Sequence, residues 1–87
     1  MSIETTPAQS RESILKSSLE AREQEIMHYQ INIDNYILAL VEIDKLPMNE
    51  KYDLAKFTEQ LQELLSTEKL EQKKSKIMLS VIKSQVE

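Results

Sequence analysis

Any reactive chemistry in this chain would have to centre on one histidine. His28 is the only one among the 87 residues. As a general base it would need an orienting carboxylate, and Glu25 and Asp34 are the candidates nearby. Glu25 is three residues away and shares a helical face with it. No nucleophile accompanies the pair, and a chain without glycine builds no glycine-lined oxyanion site. His28 therefore reads as a half-exposed helical residue. The serines at 10, 13, 17 and 18 read as helix-surface residues. Carboxylates are numerous but interleaved with Lys and Arg, and no His-x-x-Glu or EF-hand spacing occurs, so a solvated face is expected rather than a metal site. No cofactor and no enzymatic activity are expected. A second constellation, Tyr29 and Tyr36 with Asn32 and Asn35 between them, could line a ligand slot. It reads more simply as seam tyrosines with amides on the flank, able to fix the pairing of a dimer.

Composition narrows the elements that could position such residues. Eighty-seven residues suffice for one small domain, just above the size at which a single core outweighs chain entropy. No cysteine is present to staple it, and there are only two prolines. The lack of glycine disfavours tight β-turns and excludes phosphate-binding glycine loops. The opening MSIETTPAQS is too polar for a signal peptide. The longest apolar run, Ile37–Val41, is far short of a membrane span. A cytoplasmic protein without a membrane partner is expected. The formal net charge of −4 argues against general affinity for nucleic acid.

Helix signals divide the chain in two. Thr6 can cap a helix with Pro7 in its first position and Gln9 completing a capping box. Nothing interrupts it before KLPMNE, where Pro47 drives Leu46 out of the helical region and Asn49 can cap a second helix. The prediction is a single helical-hairpin domain over 1–87, with helix 1 about 7–45, a turn about 46–49 and helix 2 about 50–85. In helix 1, Leu15, Leu19, Arg22, Ile26, Tyr29, Ile33, Tyr36, Leu40 and Ile43 follow strict 4-3 spacing, the mark of a left-handed coiled coil. The matching seam in helix 2 is expected at Leu54, Phe57, Leu61, Leu64, Glu68, Glu71, Ser75, Met78 and Ile82. A short loop makes the helices antiparallel neighbours. Equal rise on both sides pairs residues whose numbers add to ~94 or 95, which sets Arg22 beside Glu71 in a polar waist.

Residues 26–46, IMHYQINIDNYILALVEIDKL, carry more apolar surface than one partner helix covers. Met27, Ile31, Leu38 and Val41 repeat the 4-3 spacing on another face, Ile37 adds a further direction, and Leu65 of helix 2 is expected to border them. Monomeric proteins seldom expose such a patch. The expectation is an all-α, long antiparallel two-helix hairpin that dimerises into a four-helix bundle through these six residues. A stable hetero-partner on the same patch is the rival.

Charge is unevenly spread. The first 45 residues hold four basic and eight acidic residues, and the remaining 42 hold seven of each. Lys69, Lys73, Lys76 and Lys83 form one stripe, a candidate surface for nucleic acid or an acidic partner. The simpler expectation pairs the basic side chains of helix 2 with helix 1, Glu12 approaching Lys83, Glu20 approaching Lys74 and Glu25 approaching Lys69. No aromatic interleaves with the lysines to stack on bases. The exposed acids Glu12, Glu20 and Glu23, and Arg22 in the waist, complete the candidate partner-binding residues.

The segment LEAREQEIMHYQINIDNYILALVEI (Leu19–Ile43) resembles the small all-helical accessory proteins of temperate, lambda-like phages. The resemblance covers helix 1 and implies a protein that binds and redirects a host protein; it carries over no functional residues. The hairpin layout is also similar to type III secretion needle subunits, but LPMN stands where those have a Pro-x-x-Pro-type turn. The reading is a non-enzymatic protein–protein interaction module, a phage-type regulator or inhibitor of a host protein. The alternatives are an assembly subunit polymerising through its apolar stripe and a nucleic-acid-binding accessory protein using the lysine stripe.

Overall fold

The computed structural model describes the backbone of residues 7–86 and the side chains of residues 10–86. The expected caps Thr6 and Gln9 lie outside these. Helix α1 (Pro7–Asp44) has 38 residues, α2 (Met48–Asp53) has six and α3 (Ala55–Val86) has 32. Helices α1 and α3 pack against each other to form a rod of 71 × 24 × 16 Å.

The reversal is made without a single positive-φ residue among those described. Helix α1 tightens as it ends, with Lys45 N–H on Glu42 O (3.2 Å) and Leu46 N–H on Ile43 O (3.0 Å). Pro47 then turns extended, at φ −61° and ψ 155°. Its carbonyl accepts from the N–H groups of both Glu50 and Lys51 at 3.0 Å, so Pro47 starts α2. The cap expected at Asn49 is corrected: that residue lies inside α2, and no side chain caps it.

Helix 2 is not continuous, contrary to expectation. Leu54 leaves the helical region (φ −101°, ψ 12°), and its N–H is shared between Glu50 O and Lys51 O at 3.1 Å. Thr58 supplies a cause. Its Oγ1 donates to Leu54 O at 3.0 Å, alongside its own backbone N–H at 2.9 Å, and such back-bonding bends helices. Helix α2 therefore forms the tip of the hairpin, and α3 sets its own course along α1.

All nine expected seam positions of α1 are buried or half-buried. The seam of helix 2 is corrected by one residue in alternate layers. Leu54, Leu61, Glu68, Ser75 and Ile82 face inward as expected. Between them come Thr58, Leu65, Gln72, Leu79 and Val86, while Phe57, Leu64 and Met78 are exposed and Glu71 stays at the half-buried edge. Both phases share five residues, so the polar layer arbitrates. Burying an amide that finds partners is cheaper than burying a carboxylate, and Gln72 goes in where Glu71 would have gone.

The pairing also shifts. Asp44 and Lys51, 3.6 Å apart, keep the expected sum of 95. Beyond the tip, Arg11–Gln85, Asn32–Glu68 and Gln30–Gln72 give sums of 96 to 102. The kink at Leu54 is the physical reason, because α2 uses up residues without advancing along α1. The core is thin: Ile33, Leu61 and Ile82 are the buried apolar residues among those described.

Candidate interaction surfaces

At mid-rod the two helices are joined by polar groups. Arg22 Nη1 donates to Glu25 Oε1 at 2.6 Å and, more weakly, to Ser75 Oγ at 3.4 Å. Ser75 Oγ donates to the same carboxylate oxygen at 2.7 Å. Gln72 Nε2 reaches Gln30 Oε1 (2.9 Å) and the Ile26 carbonyl (3.3 Å). Asn32 Nδ2 donates to Glu68 Oε2 at 2.6 Å. The expected Arg22–Glu71 contact is replaced: the shifted pairing brings Ser75 to Arg22, and Glu71 bonds Lys74 instead (3.0 Å). The Ser75 hydroxyl, with help from Arg22 and against partial desolvation, holds the Glu25 carboxyl below its ordinary value. Desolvation, reinforced by Glu25, Glu71 and Glu68, pushes the Tyr29 phenol up. The waist is thus a set of satisfied bonds that fix which layers meet, with Ser75 and Gln72 buried within it.

Outside the seam, many large apolar residues reach the surface. Fourteen are exposed among the described residues, against three buried ones. Met27, Ile31, Leu38 and Val41 all belong to the exposed set. At 3.6 residues per turn they lie about 150° round α1 from the seam. Ile37 stands nearer the seam on the same side. Leu65, expected beside them, is half-buried at a seam position of α3. Near the tip, a groove of about 630 Å³ opens between the helices, with Ile37, Val41 and Leu40 on one wall and Ala55, Thr58 and Gln62 on the other.

Helix α3 carries its own apolar flank, which sequence reasoning missed. Phe57, Leu64 and Met78 recur at seven-residue intervals or multiples of seven, with Ile77 and Val81 beside them, all exposed. The signal was Gln72: a residue able to satisfy its amide in the seam leaves the neighbouring phase free to be apolar outside. At the tip, Met48 and Tyr52 are the most exposed large apolar residues, at 79 % and 82 %. Their spacing of four puts both on one face of α2.

Apart from Arg22, half-buried in the waist, the charged candidates are at the surface. Glu12 pairs with Lys16 on its own helix (3.7 Å), and Glu20 and Glu23 are exposed. Lys69, Lys73, Lys76 and Lys83 are exposed. The expected pairing of helix 2 lysines with Glu12, Glu20 and Glu25 of helix 1 does not occur among the described residues; ion pairs there are within a helix, apart from Asp44–Lys51 across the turn. The shifted register carries Lys69 and Lys74 past the carboxylates assigned to them, while at the open end, where Arg11–Gln85 keeps a sum of 96, Glu12 pairs with Lys16 on its own helix instead. His28 is exposed. No metal-sized group of ligands forms among the described residues, and no helix there is long and apolar enough to cross a membrane. No known protein family, curated protein or solved structure matches the chain.

Proposed function

We propose that this chain works by binding other macromolecules without catalysing a reaction, and that its hairpin self-associates into a four-helix bundle. One observation carries the reading: three buried apolar residues against fourteen exposed ones. At roughly 1.5–3 kcal/mol for each large apolar side chain fully removed from water, the five exposed residues of the α1 stripe favour a covering partner strongly. Helix α3 retains a second apolar flank, and the exposed acids of helix 1 remain for a further protein. The resemblance to phage accessory proteins makes a host protein in the cytoplasm the proposed target, with the chain as its regulator or inhibitor.

Absolute mass from light scattering on a sizing column, between micromolar and near-millimolar protein, tests the first step. The expected result is about twice the 10.1 kDa chain mass. Leu38→Glu, on the surface of the hairpin, should return the protein to one chain with its helicity intact. A monomer at every concentration sinks self-association. A ladder of higher species would favour an assembly subunit.

A second reading draws on the lysine stripe. Lys69, Lys73, Lys76 and Lys83 enter no ion pair among the described residues, which leaves them available to an anionic partner such as nucleic acid. Binding to a duplex measured against salt would show a steep slope that Lys73→Glu with Lys76→Glu removes. No binding by the unaltered protein ends this reading.

A further inference from the structure

The α1 stripe is nearly a palindrome. Met27 and Val41 stand seven residues either side of Asp34, and Ile31 and Ile37 stand three either side. All four are exposed, as is Asp34. A second copy can therefore match the stripe in either direction: antiparallel, with Met27 against Val41, or parallel, with each residue against itself.

Charge decides between the two. The Asn32–Glu68 bond divides the rod into a shorter tip side and a longer open side. On the tip side, residues 34–68 hold eight acidic and three basic residues, a net charge of −5. On the open side, residues 7–33 with 69–86 hold five acidic and eight basic, a net charge of +3. The rod is thus polarised end to end. The lysines are also placed on the relevant side. Ala55 and Gln62 share the groove with Ile37 and Val41. Lys69, Lys76 and Lys83 continue their line along α3 at intervals of seven, on the side of the hairpin where Ile37 and Val41 stand.

We infer that the stripe takes a second copy of this chain laid antiparallel, with the twofold axis passing near Asp34. The inference rests on the self-association proposed above and adds its direction. Equal rise along the paired helices then brings Lys73 and Lys76 level with Glu42 and Asp44 of the other copy. Lys83 comes level with the tip, where Glu50 and Asp53 sit. Lysines that enter no ion pair among the described residues of their own hairpin acquire carboxylates from the second. A parallel dimer does the opposite, setting each lysine beside its own copy and the −5 tips side by side, which costs free energy.

The chain has no cysteine, so single cysteines report direction cleanly. Met27→Cys, Asp34→Cys and Val41→Cys all fall on exposed positions of the hairpin. In the antiparallel dimer each end position lies about 21 Å along the axis from its own copy, beyond the ~7 Å Cα separation a disulfide tolerates. On mild oxidation, Asp34→Cys should cross-link to itself. Met27→Cys and Val41→Cys should each stay uncross-linked alone and give a heterodimer only when mixed. Added salt should weaken the dimer, because the flanking attractions are exposed and screened. Self-cross-linking of Met27→Cys and Val41→Cys at the level of Asp34→Cys, with a dimer that salt strengthens, overturns the direction while self-association stands. A monomeric mass for the unaltered chain, with no cross-link at any position, overturns both.

Discussion

Ser75 shows how much a small residue can decide. Its hydroxyl joins α3 to the Glu25 carboxylate at 2.7 Å and is the largest influence on that group. Because the folded-state pKa of Glu25 is lowered, its contribution is fully present above the unfolded value and is lost as pH falls through the folded one. Ser75→Ala should destabilise the hairpin by about 1 kcal/mol at pH 7, with the low end expected because the carboxylate is partly exposed. The gap between the two proteins should close as the pH falls below the folded pKa; urea melts at pH 7 and at pH 3 measure it. Gln72 points the other way. Gln72→Leu replaces a bonded amide with an apolar seam residue and should raise stability by about 1 kcal/mol while loosening the choice of pairing, as losing a polar seam residue does in coiled coils. Thermal melts give the first part, and hydrogen exchange across residues 22–32 gives the second. Arg22 stood out in the sequence because it was the only charge in its seam. Its partner did not, because that depends on a shift of about one helical turn set by the tip.

At the scale of the helices, α1 was readable because its 4-3 positions are apolar at every layer but one, and the rival stripe from Met27 to Val41 covers only part of its length. In α3 two phases compete, sharing Leu54, Leu61, Glu68, Ser75 and Ile82. Counting apolar residues favours Phe57, Leu64 and Met78, yet the structure buries the phase of Thr58, Leu65, Gln72 and Leu79. Hydropathy alone does not register that Gln72 finds acceptors across the seam whereas Glu71, in the same place, would have to shed its charge or its water. Alanine scanning should separate the phases. Leu65→Ala and Leu79→Ala should each cost about 2 kcal/mol, near the lower end for large-to-small core changes. Leu64→Ala and Met78→Ala should stay within about 0.5 kcal/mol. Equal losses in both pairs, in urea melts of the separate variants, would place the seam back at the phase first expected. The break at Leu54 had no signal of its own, since neither glycine nor proline marks it; the back-bonding Thr58 is an ordinary residue for a helix.

For the whole molecule, the long rod and its paired helices follow from the two uninterrupted stretches either side of Pro47. The uneven charge along it was visible only as a difference between the halves of the sequence, because the hairpin joins two distant segments, 7–33 and 69–86, at its open end. Length in solution tests the assembled form. Asp34 lies ten residues from the end of α1, about 15 Å, so two antiparallel 71 Å hairpins overlapping there should span about 110 Å. Small-angle scattering should return that length for the dimer and a value near the single hairpin for Leu38→Glu. A dimer no longer than one hairpin would mean side-by-side copies in full overlap.

The Arg11–Gln85 bond of 2.8 Å brings the far ends of α1 and α3 together, opposite the tip. Tension applied there would load the contacts one layer at a time, as in a zipper, and never all at once. The outer layers would part first, the polar waist next, and the layers around Ile33 and Leu61 last. A rod of this design is weak when its ends are pulled apart, yet it keeps its tip intact longest, with Met48 and Tyr52 still presented at full extension.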